Sequence, residues 1–172
     1  MWNRIAIIGL GNLLLSDEGI GVHVVSELQK EYDLPEELSV IDGGTLGLDL
    51  LPIIEGKEKI IFIDATDLQK EPGTIAIIED ENLPSFLAPK LSLHHVGLAD
   101  LLFASTFQGN RPAKVILMGI QPAKLEVGLS LSETLTKKMP EFLEVIIKKL
   151  REWNIEIKKK PKESSLVLSN SF

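Results

Sequence analysis

Short, largely apolar runs rich in β-branched residues constrain this chain more than any other feature: Arg4–Ile8, Leu38–Ile41, Lys59–Ile63 and Lys114–Ile120, three of them unbroken after a leading Arg or Lys. A strand with one wet face alternates apolar and polar residues. An unbroken run is covered on both faces, as in a parallel sheet between helical layers. Between the first two runs, Gly19–Glu31 places Ile20, Val24 and Leu28 at four-residue steps, with Val25 widening the face, which is an amphipathic helix that Ser16 or Asp17 stands ready to cap. Leu48–Ile54 reads as a short helix with Pro52 near its first turn. Two right-handed strand–helix–strand units follow.

A further run, Thr74–Ile78, follows the third strand after a link carrying Glu71-Pro72-Gly73. Parallel crossovers need about a dozen residues or more, so this strand is expected to run antiparallel to its neighbour. Helices are expected over Val96–Ser105 and Ser132–Trp153, the second kinked or split at Pro140. The fold class is therefore α/β: a three-layer α/β/α sandwich around a twisted, mostly parallel sheet of about five strands, one of them antiparallel. Residues 1–157 read as one α/β domain, and the Lys-rich then Ser-rich residues 158–172 as a flexible tail.

Composition narrows the chemistry. The chain of 172 residues has 18 basic and 25 acidic side chains, a net charge of −7, so it lacks the basic excess that a nucleic-acid partner demands. No apolar stretch approaches the ~18 residues of a membrane span, and no signal peptide or lipidation box is visible, so a cytoplasmic protein is expected, taken as a monomer. With no cysteine, disulfides, thiolate metal sites and a cysteine nucleophile are excluded, leaving His, Asp and Glu for metal or acid/base work.

Ligands of open α/β sheets gather at the carboxyl ends of the strands. There the chain places Gly9-Leu-Gly with Asp17-Glu18, then Asp42-Gly-Gly-Thr45, then Asp64-Ala-Thr-Asp67, and a later loop adds His94 and His95. Gly9 and Gly11 match the start of a dinucleotide fingerprint, but Leu14 occupies the third glycine position and two acids stand where a pyrophosphate needs the helix N-terminus. No Gly-x-Ser-x-Gly elbow or nucleophilic triad is present.

Glu18, Asp64 and one histidine form the alternative, because oxygen and imidazole donors suit divalent metals and leave positions for substrate. Glu18 alone also reads as a first-turn acid favouring the helix dipole, and Asp64 alone as a turn cap. A carboxylate that follows four apolar residues, Ile60 to Ile63, needs a cation or donors, however. His23 reads as a packing or surface residue of the first helix. Asp17 and Asp67 read as caps or supports, and Asp42 with Gly43 and Gly44 as a turn or a loop positioning substrate.

Gly9-Leu-Gly-Asn12, Asp17-Glu18-Gly-Ile-Gly21, Asp42-Gly-Gly-Thr45, Asp64-Ala, Ser92-Leu-His94-His-Val-Gly97 and Gly119-Ile-Gln-Pro122 together resemble the hydrogenase maturation endopeptidases, in order and approximate spacing over about Ile5 to Trp153. The resemblance implies a protease that removes a C-terminal extension from the nickel-iron hydrogenase large-subunit precursor after nickel insertion. It places catalytic and metal-recognition roles on Glu18, Asp64 and His94, with nickel supplied by the nickel-loaded precursor and no organic cofactor. Asp42, Gly43 and Gly44 are candidates for positioning the extension. Two other readings stand beside it: a nucleotide- or small-ligand-binding α/β module, and a non-catalytic chaperone docking on the same precursor.

Overall fold

The computed structural model describes residues 3–87 and 93–161, and within these it describes no side chains for residues 93–96. Strands β1 (Ile5–Leu10), β3 (Leu38–Gly44), β4 (Lys59–Ala65) and β6 (Lys114–Ile120) are parallel, and β5 (Ile75–Glu79) pairs antiparallel with β6. The sheet order is β3-β1-β4-β6-β5. A separate two-stranded sheet joins β2 (Tyr32–Asp33) to β7 (Lys158–Lys159). Lys158 and Lys159, placed in the tail by the sequence, are thus paired, and residues 162–172 lie outside the described residues.

Alternation along the strands sorts their side chains between two cores. Ile5, Ile7, Ile61, Ile63, Ile116 and Met118 face helices α1 (Ile20–Glu31) and α5 (Glu133–Glu152), through Val24, Leu28, Phe142 and Ile146 among others. Ala6, Ile8, Ile60, Phe62, Val115 and Leu117 face α2 (Leu51–Ile54), α3 (Leu83–Leu87) and α4 (Leu93–Phe107). Both faces are dry, which is why the runs are unbroken. A wholly buried aromatic such as Phe62 or Phe142 contributes about 2–3 kcal/mol from burial alone. No helix among the described residues is long and apolar enough to cross a membrane.

The antiparallel direction expected of the Thr74–Ile78 run holds. Glu79 of β5 accepts from Lys114 Nζ of β6 at 3.2 Å and Lys149 Nζ of α5 at 3.1 Å, fastening this edge to both neighbours. Ser132 caps α5, its Oγ accepting from the Leu135 amide at 3.2 Å. Pro140 does not split α5. Pro140 and Thr136, whose carbonyl loses its helical donor, are both exposed, so water can take the freed acceptor.

Three local expectations change. A 3-10 turn over Ser16–Gly19 precedes α1, whose N-cap is Gly19, so neither Ser16 nor Asp17 caps the helix. Another 3-10 turn, Gly47–Leu50, leads into α2. Asp42, Gly43 and Gly44 form no free turn but the last three residues of β3. The register with β1 slips there, with Gly9 opposite Asp42 and Leu10 opposite Gly44, so Gly43 is the extra residue of a bulge.

Candidate active site

Parallel pairing carries the ends of β1, β3, β4 and β6 to one edge of the sheet, and the two expected carboxylates meet there. Asp64 is the penultimate residue of β4, opposite Gly119 of β6 and next to Ile63, which pairs with Gly9. Glu18 sits on the 3-10 turn that returns from β1. Gly11 allows that return: its φ is +130°, and a Cβ there would stand 1.9 Å from the Glu18 carbonyl oxygen.

The incomplete dinucleotide fingerprint has a different explanation. A Cβ on Gly9 would lie 2.1 Å from the Gly21 carbonyl oxygen, and one on Gly21 would lie 2.2 Å from the Ile63 carbonyl oxygen. These glycines let α1 press its backbone onto β1 and β4. Close helix–sheet contact, which a third fingerprint glycine would provide at position 14, is provided instead by Gly21. The Gly-Ile-Gly spacing after Glu18 was the available signal.

Asp64 is 1% exposed and its Oδ1 has no hydrogen-bond partner. Burial pushes its carboxyl well above the usual range, the Ala65 backbone N–H pulls it back in part, and the charge of Glu18 pushes it up again. That coupling to Glu18, which is half-buried, shows that the two carboxyls share one environment. A buried, unpaired carboxylate oxygen beside a second carboxylate is suited to a cation or a proton. Among the described residues no set of three His, Asp or Glu side chains is gathered for a metal. His94 and His95 lie in the first turn of α4, and their side chains fall outside the described residues.

Asp17, read from sequence as a cap or support, is fully buried and does something more specific. Its Oδ2 accepts from the backbone amides of Ala123 at 2.8 Å and Lys124 at 2.9 Å, and its Oδ1 from that of Ser132 at 2.7 Å. Ser16 Oγ donates to the Glu126 carbonyl at 2.8 Å. The residue beside Glu18 therefore holds the whole 123–132 segment against the site. Gln121, just after β6, belongs to the Gly119–Pro122 segment singled out in the sequence, which gave it no role. Its Oε1 accepts from the Leu68 amide at 2.6 Å, fixing the loop that leaves Asp64.

The remaining candidates separate. Asp42 is exposed at the end of β3, beside a groove lined by Leu13, His23 and Ser26 of the α1 side. Gly43 is buried, and a Cβ on it would meet Ile8 Cγ2 at 2.6 Å. Gly44 lines a small cavity on the opposite, α4 side. Asp67 is exposed and accepts from the Gln69 amide at 3.0 Å, a local turn. His23 is half-buried on α1, a packing position with its Nε2 unpartnered.

Residues 22–149 match a family profile described as hydrogenase maturation protease. The hydrogenase 2 maturation protease of Escherichia coli is 40% identical over 154 residues, 89% of this chain and 94% of that protein. The hydrogenase expression/formation protein HupD of Rhizobium leguminosarum bv. viciae is 36% identical over 165 residues, 95% and 82% of the two chains. Among solved structures, the hydrogenase maturating endopeptidase HybD of Escherichia coli superposes with a TM-score of 0.87 at 38% identity, covering 91% of this chain and 98% of its own.

Proposed function

Because the chain belongs to the hydrogenase maturation protease family, we propose that it is the endopeptidase that removes the C-terminal extension of a nickel-iron hydrogenase large-subunit precursor after nickel insertion. The observation that carries the reading at the level of chemistry is the buried, unpartnered Oδ1 of Asp64 beside Glu18. Nickel arrives as part of the substrate. Glu18, Asp64 and His94 form the donor set that reads it, two carboxylates and an imidazole being an incomplete shell that accepts an ion already held by other ligands. Asp42, with Gly43 and Gly44, lies along the β3 end of the same edge, where it positions the extension.

Hydrolysis needs water to add to the scissile carbonyl carbon, a base to take the water proton, and an acid to return a proton to the leaving nitrogen as the carbon–nitrogen bond breaks. Asp64 has two roles open to it: as a ligand its carboxylate is held deprotonated by the ion, and as a general base acting without direct metal help it uses the raised proton affinity that burial gives the metal-free carboxyl. Glu18 raises that affinity when no ion is bound, and holds the second position next to the ion when one is.

The test is the intact mass of a nickel-loaded large-subunit precursor after incubation with wild-type protein and with Asp64→Asn, beside a nickel-free precursor. Release of a C-terminal peptide by wild type alone, and from the nickel-loaded form alone, is the expected result. An unchanged mass for a verified nickel-loaded cognate precursor overturns the proteolytic reading. Cleavage of the nickel-free form at the same rate overturns the metal check.

A further inference from the structure

A cavity of about 50 Å³ opens between the end of β1, the Gly44–Leu50 segment and α4, walled by Leu10, Leu50 and Leu101. Three glycines lie on its wall, and they are there for different reasons. Gly44 ends β3 with φ +42°, a backbone conformation that side chains disfavour. Gly47 has φ +55°, a backbone conformation that side chains disfavour, so its 3-10 turn explains it. Gly97 has no such need. It lies inside helix α4 without a positive φ, and among the described residues a Cβ built on it would meet the Gly47 Cα alone, at 3.7 Å, an ordinary contact. Glycine inside a helix is less stable than alanine, and neither backbone geometry nor packing among the described residues requires it. What its missing Cβ provides is room.

The place of that room gives it a use. Leu10 runs directly into Gly11, which is pressed on the carbonyl of Glu18, and Gly44 ends the strand that carries Asp42. The far wall is α4, the helix whose first turn contains His94. The cavity thus lies among three elements that bring candidate residues to the site. Its lining is chiefly leucine side chain and glycine backbone, so it offers a polar group few partners. Its volume exceeds the space of one water and falls short of a cavity that takes an aromatic ring, given as ~150 Å³ for benzene, so a small branched aliphatic group fits.

We propose that this cavity is a specificity pocket for a small aliphatic side chain of the precursor, adjacent to the bond that is cut, and that Gly97 is the residue that keeps it open. The proposal rests on the peptidase reading above and adds the substrate feature that the site selects beyond nickel.

Gly97→Ala tests it, with two readouts that move in opposite directions. The thermal midpoint stays equal to or above wild type, because alanine is the better helix former. With the nickel-loaded precursor, kcat/KM falls about tenfold or more, the scale set by one methylene in a close-fitting apolar pocket. Precursors changed to alanine at each aliphatic position flanking the cut then identify the occupant: one change lowers kcat/KM for wild type and has little effect for Gly97→Ala. Cleavage by Gly97→Ala at the wild-type rate overturns the proposal, as does a lowered thermal midpoint, which would make Gly97 a packing residue. Equal sensitivity of the two proteins to every flanking change also overturns it. If wild type cleaves no precursor, the peptidase reading has failed and the pocket assignment falls with it.

Discussion

A single buried oxygen, Oδ1 of Asp64, sets the behaviour expected at the residue scale. A carboxyl whose pKa is raised on folding binds protons more tightly in the native than in the unfolded chain. Stability then falls as pH rises from the unfolded value near 3.8 toward the raised native one. Asp64→Asn removes that loss. The metal-free variant is expected to melt above wild type at neutral pH, with the gain shrinking to little or nothing near pH 4, as a set of melts across pH would show. The role proposed for Asp64 predicts that the same variant loses cleavage in the precursor mass assay, so that stability and activity move apart. Glu18→Gln removes the charge that adds to the shift, so the Asp64 titration should move to lower pH, measured by carboxyl carbon NMR.

Asp17 gives the opposite case. Three backbone amides converge on its carboxylate, so Asp17→Ala strips their acceptor and should cost about 3 kcal/mol in urea unfolding. A loss within experimental error would show that water replaces the carboxylate. Asp64 was legible in the sequence because an acid directly after four apolar residues must be partly desolvated. Asp17 was not, because its partners lie 106 to 115 positions further on and are backbone groups, which leave no mark in the sequence.

At the scale of elements, unbroken apolar runs and four-residue helical steps identified the strands of the main sheet and the main helices, and a link too short for a crossover set the direction of β5. What escaped depended on partners rather than on local pattern. The strand pair β2 and β7 joins residues too polar and too short to announce a strand, and the bulge at Gly43 exists only through register with β1. The seam between α1 and the sheet is another such feature, built on the absence of a side chain. Gly21→Ala would push a Cβ into the Ile63 carbonyl oxygen, backbone against backbone, where neither side can rotate away. We expect a loss of about 3 kcal/mol in denaturant unfolding, together with loss of cleavage as Glu18 is carried off Asp64.

At the scale of the molecule, the division of labour follows from topology. Four parallel strands deliver their carboxyl ends to one edge, two dry cores hold that edge flat, and the chemistry is carried by short returns from the strands. The family is visible in these returns, while the elements between them need only keep their apolar faces. The third donor expected from sequence, His94, belongs to a helix turn whose side chains the structure does not describe, so the Glu18–Asp64 pair carries the geometric part of the site alone.

The reach of Asp17 has a consequence for how such a chain comes into being. Residue 17 leaves the ribosome early, yet the amides it holds are at 123, 124 and 132, so its carboxylate stays without its native donors until three quarters of the chain has been made. These three contacts therefore become possible only late in synthesis. A nascent fragment ending before residue 123 has both carboxylates of the site and lacks the clasp that steadies them. Native-state hydrogen exchange should show the amides of Ala123, Lys124 and Ser132 opening together, and with the cooperative unfolding of the domain rather than as a fraying loop.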